Sequence, residues 1–131
     1  MKIRTSPWGV VDHQCEHAPG IDFVSTPSHG GYHLSEERQR GLLDVFGFWQ
    51  GDPEWLEEDC DAVLVYLAWP DLATDEQCAA AVESVRITAG WESCAAKWKP
   101  VLDWLDGDHP NAKLVVQKAK QSPFILLSRI K

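Results

Sequence analysis

Two histidines flank a pair of glycines early in the chain: His29 stands directly before Gly30-Gly31, and His33 follows. Imidazole serves as acid or base near neutral pH. Consecutive glycines make a tight hairpin turn and leave backbone N–H groups free to line an anion site. With the carboxylates of Glu57 or Glu58, these residues would form a small enzyme or ligand site. His29 would be the acid or base, the Gly30-Gly31 amides would hold an anion, and the carboxylates would orient the base or bind a metal. The plainer reading, a structural turn, is favoured.

His13, Cys15 and His17 are all metal-ligand types on alternate positions. Alternate residues of a strand lie roughly 6.5–7 Å apart, so neighbours could share one zinc ion, whereas His13 and His17, about 13 Å apart, could not. A metal site there would need a further ligand, such as His29 or His33. Histidines at the rim of a half-buried strand account for the pattern more simply, and no resident metal or cofactor is assigned.

A third group is acidic. "DPEWLEEDCD" carries six acids in ten residues. Read as a helix, it places Glu54, Glu57, Glu58 and Asp61 on one stripe, opposite an apolar face of Leu56, Cys60, Val63, Leu64 and Leu67. Like charges at helical spacing repel by a few tenths of a kcal/mol per pair, and the helix N-terminus returns part of this. A solvated face is the plain reading. The functional one is a cation site or a surface that imitates nucleic-acid phosphates for a basic partner, with Asp44, Asp71, Asp75 and Glu76 adding charge.

The elements that must carry these groups follow from periodicity and punctuation. "GVVDHQCEH" and "IDFVS" alternate with period two, "APG" (18–20) is turn chemistry, and a short "YHL" completes an antiparallel meander. Ser35 caps a helix that opens with Glu36 and Glu37 and ends near Phe46 or Phe48, before Gly51. The acidic segment reads as the next helix, from Asp52-Pro53 to Pro70. Thr74 and Gln77 form a capping box for a third, whose stripe is Cys78, Ala81, Val82 and Val85 and which stops at Gly90. Trp98, Val101, Leu102 and Leu105 mark a fourth, with Pro100 at its start or at a kink. Pro110 begins a fifth, with Ala112, Val115, Val116 and Ala119 inward, and "FILLSRI" (124–130) reads as a closing strand. The expected fold is α+β: one domain over 1–131, a small, mostly antiparallel sheet against four or five helices.

Composition narrows the function. At 131 residues and 44 % hydrophobic the chain can bury one real core, and seven Trp make that core aromatic-rich. No targeting segment and no run of 18 apolar residues is found, so neither secretion nor a membrane span is expected. Four dispersed cysteines without a C-x-x-C pair fit reduced thiols in the cytoplasm. Residues 1–85 hold 16 acids and 4 bases (−12), and residues 86–131 hold 4 acids and 8 bases (+4), which sum to the net charge of −8. The acidic front argues against direct nucleic-acid binding. The bases Lys97, Lys99, Lys113, Lys118 and Lys120 lack the arginine density and aromatic interleaving of a nucleic-acid surface and read as a solvated face.

Four segments, Pro7-Trp8-Gly9, Ala18 to Ile21, Ser25 to Ser35 and Glu57 to Asp61, carry a resemblance. The chain is similar to an uncharacterised domain family found in proteins of phages, plasmids and proteobacterial mobile elements. Its pattern is Pro-Trp-Gly, Ala-Pro-Gly-Ile, Ser-Thr-x-x-His-Gly-Gly-x-x-Leu-Ser and Glu-Glu-Asp-Cys-Asp. The resemblance covers roughly residues 1–70 and brings no activity with it. It implies an accessory protein that counters host defences by binding a host complex. The first expectation is therefore a non-enzymatic, anti-CRISPR-like inhibitor in the bacterial cytoplasm. It would use Glu54, Glu57, Glu58 and Asp61 against a basic, nucleic-acid-handling host protein. The alternative is the site at His29, Gly30, Gly31 and His33. The oligomeric state is open, and self-association through exposed Trp is a third option.

Overall fold

Alternation and turn chemistry in the first third build the strands that carry the histidines. A computed structural model describes residues 2–122. The fold is α+β, with two antiparallel sheets and five α-helices among the described residues. It comprises two compact units, one up to Leu64 and one from Val65 onward.

The first unit opens on a small hairpin, β1 (Thr5–Ser6) and β2 (Gly9–Val10), turned by Pro7-Trp8. Gly9 takes a φ of 125° there, a conformation that L side chains rarely adopt. The expected continuous strand from Gly9 to His17 is thus broken. The Val11 amide bonds back to the Arg4 carbonyl, while the Asp12 amide already bonds to Ser25, so the chain changes sheets between them.

The main sheet is a four-stranded meander in sequence order: β3 (His13–Ala18), β4 (Ile21–Ser25), β5 (Gly30–Leu34) and β6 (Trp55–Glu57). Pro19-Gly20 joins β3 to β4, with Gly20 at φ 81°. That is the proline-then-glycine chemistry of a type II turn. Ser35 caps α1 (Glu36–Val45) by accepting the Arg38 amide. Ile21, Val24, Leu34, Leu42, Phe46, Leu56 and Leu64 are fully buried in this unit.

Two expectations are corrected here. Gly30 and Gly31 do not form the turn. Thr26 to His29 does, closed by the Thr26 amide on the His29 carbonyl. The glycines lie inside β5, paired with β4 on one side and β6 on the other, and neither has a positive φ. Their smallness is what matters: a Cβ on Gly31 would run into the Leu56 carbonyl oxygen and Trp8 Cη2. The second correction concerns the acidic segment, which is not one helix. It enters as β6, passes through turns, and becomes helical only in α2 (Val63–Ala68). Pairing Tyr32 with Leu56 and His33 with Trp55 satisfies backbone groups across the sheet. It also spares the chain a helical stripe of like charges. Leu56, Leu64 and Leu67 are buried as the apolar pattern requires, but Cys60 is exposed and Val63 only half-buried.

In the second unit a 3-10 turn at Pro70–Leu72 leads to α3 (Asp75–Ala89), α4 (Ala95–Leu105) and α5 (Pro110–Lys120). The Thr74–Gln77 capping box is present, and Cys78, Ala81, Val82 and Val85 are buried on the face expected. α3 packs against both α4 and α5. Pro100 lies within α4, not at its start, where it forfeits one backbone hydrogen bond. Of the anticipated solvated lysines, Lys118 is instead structural: its ammonium donates to the Pro70 and Ala73 carbonyls. Burial raises the Cys78 thiol above its usual value, and the nearby Lys118 charge partly opposes this. The expected strand over 124–130 lies outside the described residues.

Replacing Gly31 with Ala should cost about 1–3 kcal/mol, the usual penalty for overpacking. The expected result in urea unfolding is a lower midpoint with an unchanged slope.

Candidate functional site

The turn and the two strands behind it determine where the polar groups go. The Thr26 side chain organises the turn, donating to the His29 carbonyl (2.8 Å) and accepting the amides of Ser28 (3.3 Å) and His29 (3.1 Å). It is almost fully buried, so these bonds are shielded from water. His29 is thereby held at the head of β5 with its side chain half-exposed.

Across the ladder, Gly31 faces Glu57 and the Glu58 amide bonds to the Gly30 carbonyl at 2.9 Å. After β6 the chain turns tightly, the Cys60 and Ala62 amides both bonding to the Glu57 carbonyl. This brings His29 Nδ1 to 3.9 Å from Glu57 Oε1. Asp59 joins them: one ligand-type atom from each of His29, Glu57 and Asp59 lies within 4.8 Å of the others. Among the described residues, this is the one group of three or more His, Cys, Asp or Glu placed to hold a metal ion.

Four residues along β5 a second histidine–carboxylate couple has a different character. His33 Nε2 lies 3.0 Å from Glu54 Oε2, and the His33 side chain is only 12 % exposed. Glu54 is fixed by its backbone, its amide bonding to Asp52 Oδ1 and its carbonyl accepting the Leu34 amide. The His33 ring tilts against Trp55 at 4.5 Å, and Trp55 meets Trp8 edge-on at 5.7 Å. Trp8 lies over Gly31, between the two couples. His33 is therefore a packed, hydrogen-bonded pin of the sheet, and His29 is the accessible histidine.

The sequence-derived residues thus divide. His29 and Glu57 come together; His33 pairs with Glu54 instead. Gly30 and Gly31 supply close strand packing, and their backbone runs in the ladder, not in an open anion nest. Glu54, Glu57, Glu58 and Asp61 do not share a helix stripe, since they fall before, on and after β6. Glu58 is exposed and Asp61 half-buried. His13 and Cys15 lie exposed on the outer strand β3, and His17 turns its ring onto Tyr32 at 5.6 Å. They do not gather as metal ligands. Among the described residues no Ser, Thr or Cys side chain hydrogen-bonds the His29 ring. Asp59 and Trp8 carry no signal of their place at the site in the local sequence. A helical reading turns Asp59 away from the stripe, and nothing local announces that Trp8 covers β5.

The chain belongs to the family described as Domain of unknown function (DUF7007), whose model matches residues 1–102. The match takes in the whole meander and α3, and so extends past the segments that carried the resemblance. No significant match to a curated protein or to a solved structure was found. No described helix is long and apolar enough to cross a membrane.

Thr26→Val keeps the shape of the side chain and removes the hydroxyl that holds the turn. The expected loss is about 1–3 kcal/mol, the cost of leaving buried polar groups unpaired, together with a displaced His29 amide resonance. Unchanged stability and an unmoved resonance would show that the hydroxyl does not set the turn.

Proposed function

We propose that this member of the family acts by binding, not by catalysis, and that its carboxylate-rich β6 end engages a basic surface on a partner protein. The observation that supports this is uncompensated charge. Between Gly41 and Val85 the sequence has no lysine or arginine. Among the described residues, the only basic groups within 4.0 Å of Glu54, Glu57, Glu58 or Asp59 are His33 and His29. Glu58 and Asp59 are exposed. Carboxylates held on a rigid strand end with no internal cation keep their full field for a partner. The loss of the helical stripe moves this surface without removing it: Glu57, Glu58 and Asp59 now form its centre.

The resemblance to mobile-element proteins extends the proposal. The partner would be a nucleic-acid-handling component of a host defence system, met in the bacterial cytoplasm, and the carboxylates would occupy positions that phosphates otherwise take. The second reading, an acid–base or ligand site at His29, is favoured by one observation, the 3.9 Å approach of Glu57 to the ring.

The test is affinity capture from a bacterial host lysate with the tagged full chain, beside a variant carrying Glu58→Lys and Asp59→Lys. We expect a basic nucleic-acid-binding protein that competing duplex DNA releases and that the variant fails to retain. Capture indifferent to both DNA and charge reversal would overturn the proposal.

A further inference from the structure

The geometry points to a divalent transition-metal site at His29, Glu57 and Asp59, and we infer that it takes an ion of the Zn²⁺ class. This goes beyond the partner-binding reading and does not rest on it.

The donor set is mixed, one imidazole nitrogen and two carboxylates. That combination suits borderline first-row ions, whereas magnesium and calcium prefer oxygen alone. The three donors come from two chain segments tied by backbone hydrogen bonds. Thr26 fixes His29 on one side, and the Glu58–Gly30 and Cys60–Glu57 bonds fix the other. The frame is therefore set before any ion arrives. Donor atoms lie 3.9 Å apart for His29 and Glu57 and within 4.8 Å for all three. Around zinc, with bonds of about 2.0–2.2 Å, tetrahedral donors sit about 3.4 Å from one another. Closing the set needs roughly 1 Å of side-chain rotation, which the exposed His29 and Asp59 are free to make.

Electrostatics favour the same conclusion independently. Among the described residues, no hydrogen-bond donor reaches either the Glu57 or the Asp59 carboxylate, and His29 is the only basic group near them. A dication supplies the positive charge that the two carboxylates lack and uses the imidazole as its third ligand. Three protein ligands leave a coordination position open to water or to a side chain from another molecule.

The test is calorimetric titration of Zn²⁺ into the purified full chain carrying Cys15→Ser and Cys60→Ser, which removes the two exposed thiols as competing ligands. We expect one ion per chain. His29→Ala and Asp59→Asn should each weaken binding roughly tenfold or more, the scale on which even outer-shell partners act, and His13→Ala should leave it unchanged. As a readout that needs no further variant, Zn²⁺ should shift the His29 imidazole ¹⁵N resonances and leave those of His33 in place. No binding, binding that either ligand variant leaves unaltered, or an unshifted His29 would overturn the site. Partner capture is scored separately on Glu58→Lys alone, which leaves all three metal ligands in place, so failure of either proposal is distinguishable from failure of the other.

Discussion

The pairing of β6 with β5 is the constraint on which the first unit depends. Residues Trp55–Glu57 lie opposite Gly31–His33, and every polar feature of the site derives from that register. It seats Trp55 on His33, places Glu57 opposite Gly31, and delivers the following turn, with Asp59, beside His29. A slip of one residue would send each of these side chains to the other face of the sheet. The register is held from both ends, by the Leu34 amide on Glu54 and the Glu58 amide on Gly30. It is also held from above by Trp8, which occupies the space that only a glycine at position 31 leaves open. Glycine inside a strand is ordinarily a weakness; here Gly31 admits the Trp8 ring, which covers the strand pairing.

That arrangement separates two histidine–carboxylate couples which the sequence presents as equivalent. One is packed against tryptophan, mostly shielded and committed to structure. The other is open to solvent and has a second carboxylate beside it. The distinction is one of environment: His33 packs against Trp55, which in turn meets Trp8, and His29 closes an exposed turn. β5 thus carries a packed anchor at His33 and is preceded by an exposed histidine at His29, with Trp8 over the intervening Gly31.

Much of the fold was legible in local chemistry. The Ser35 cap, the Thr74–Gln77 box, the Pro19-Gly20 turn and the α3 stripe all follow from signals within a few residues, and each was found where those signals put it. What could not be read were the outcomes of long-range competition. The segment 52–61 has helical apolar spacing, a proline suited to a first turn and an acidic start, yet strand pairing to β5 overrides them. Asp59 was invisible as a site residue for the same reason, since its neighbour His29 is thirty positions away in the chain. Trp8 gave no local sign of its role either. Consecutive glycines such as Gly30-Gly31 ordinarily signal a turn, whereas the turn here belongs to Thr26, whose hydroxyl does the work of a backbone group.

The most direct measurement is a nuclear Overhauser experiment on the labelled full chain, focused on residues 53–61. Hα–Hα contacts are expected between Trp55 and His33 and between Glu57 and Gly31, the close pairs of an antiparallel ladder, with a slowly exchanging Glu58 amide. A run of contacts between residues three apart through 53–61, with none to β5, would mean that the segment is a helix. The gathering of His29, Glu57 and Asp59 would then fall with it.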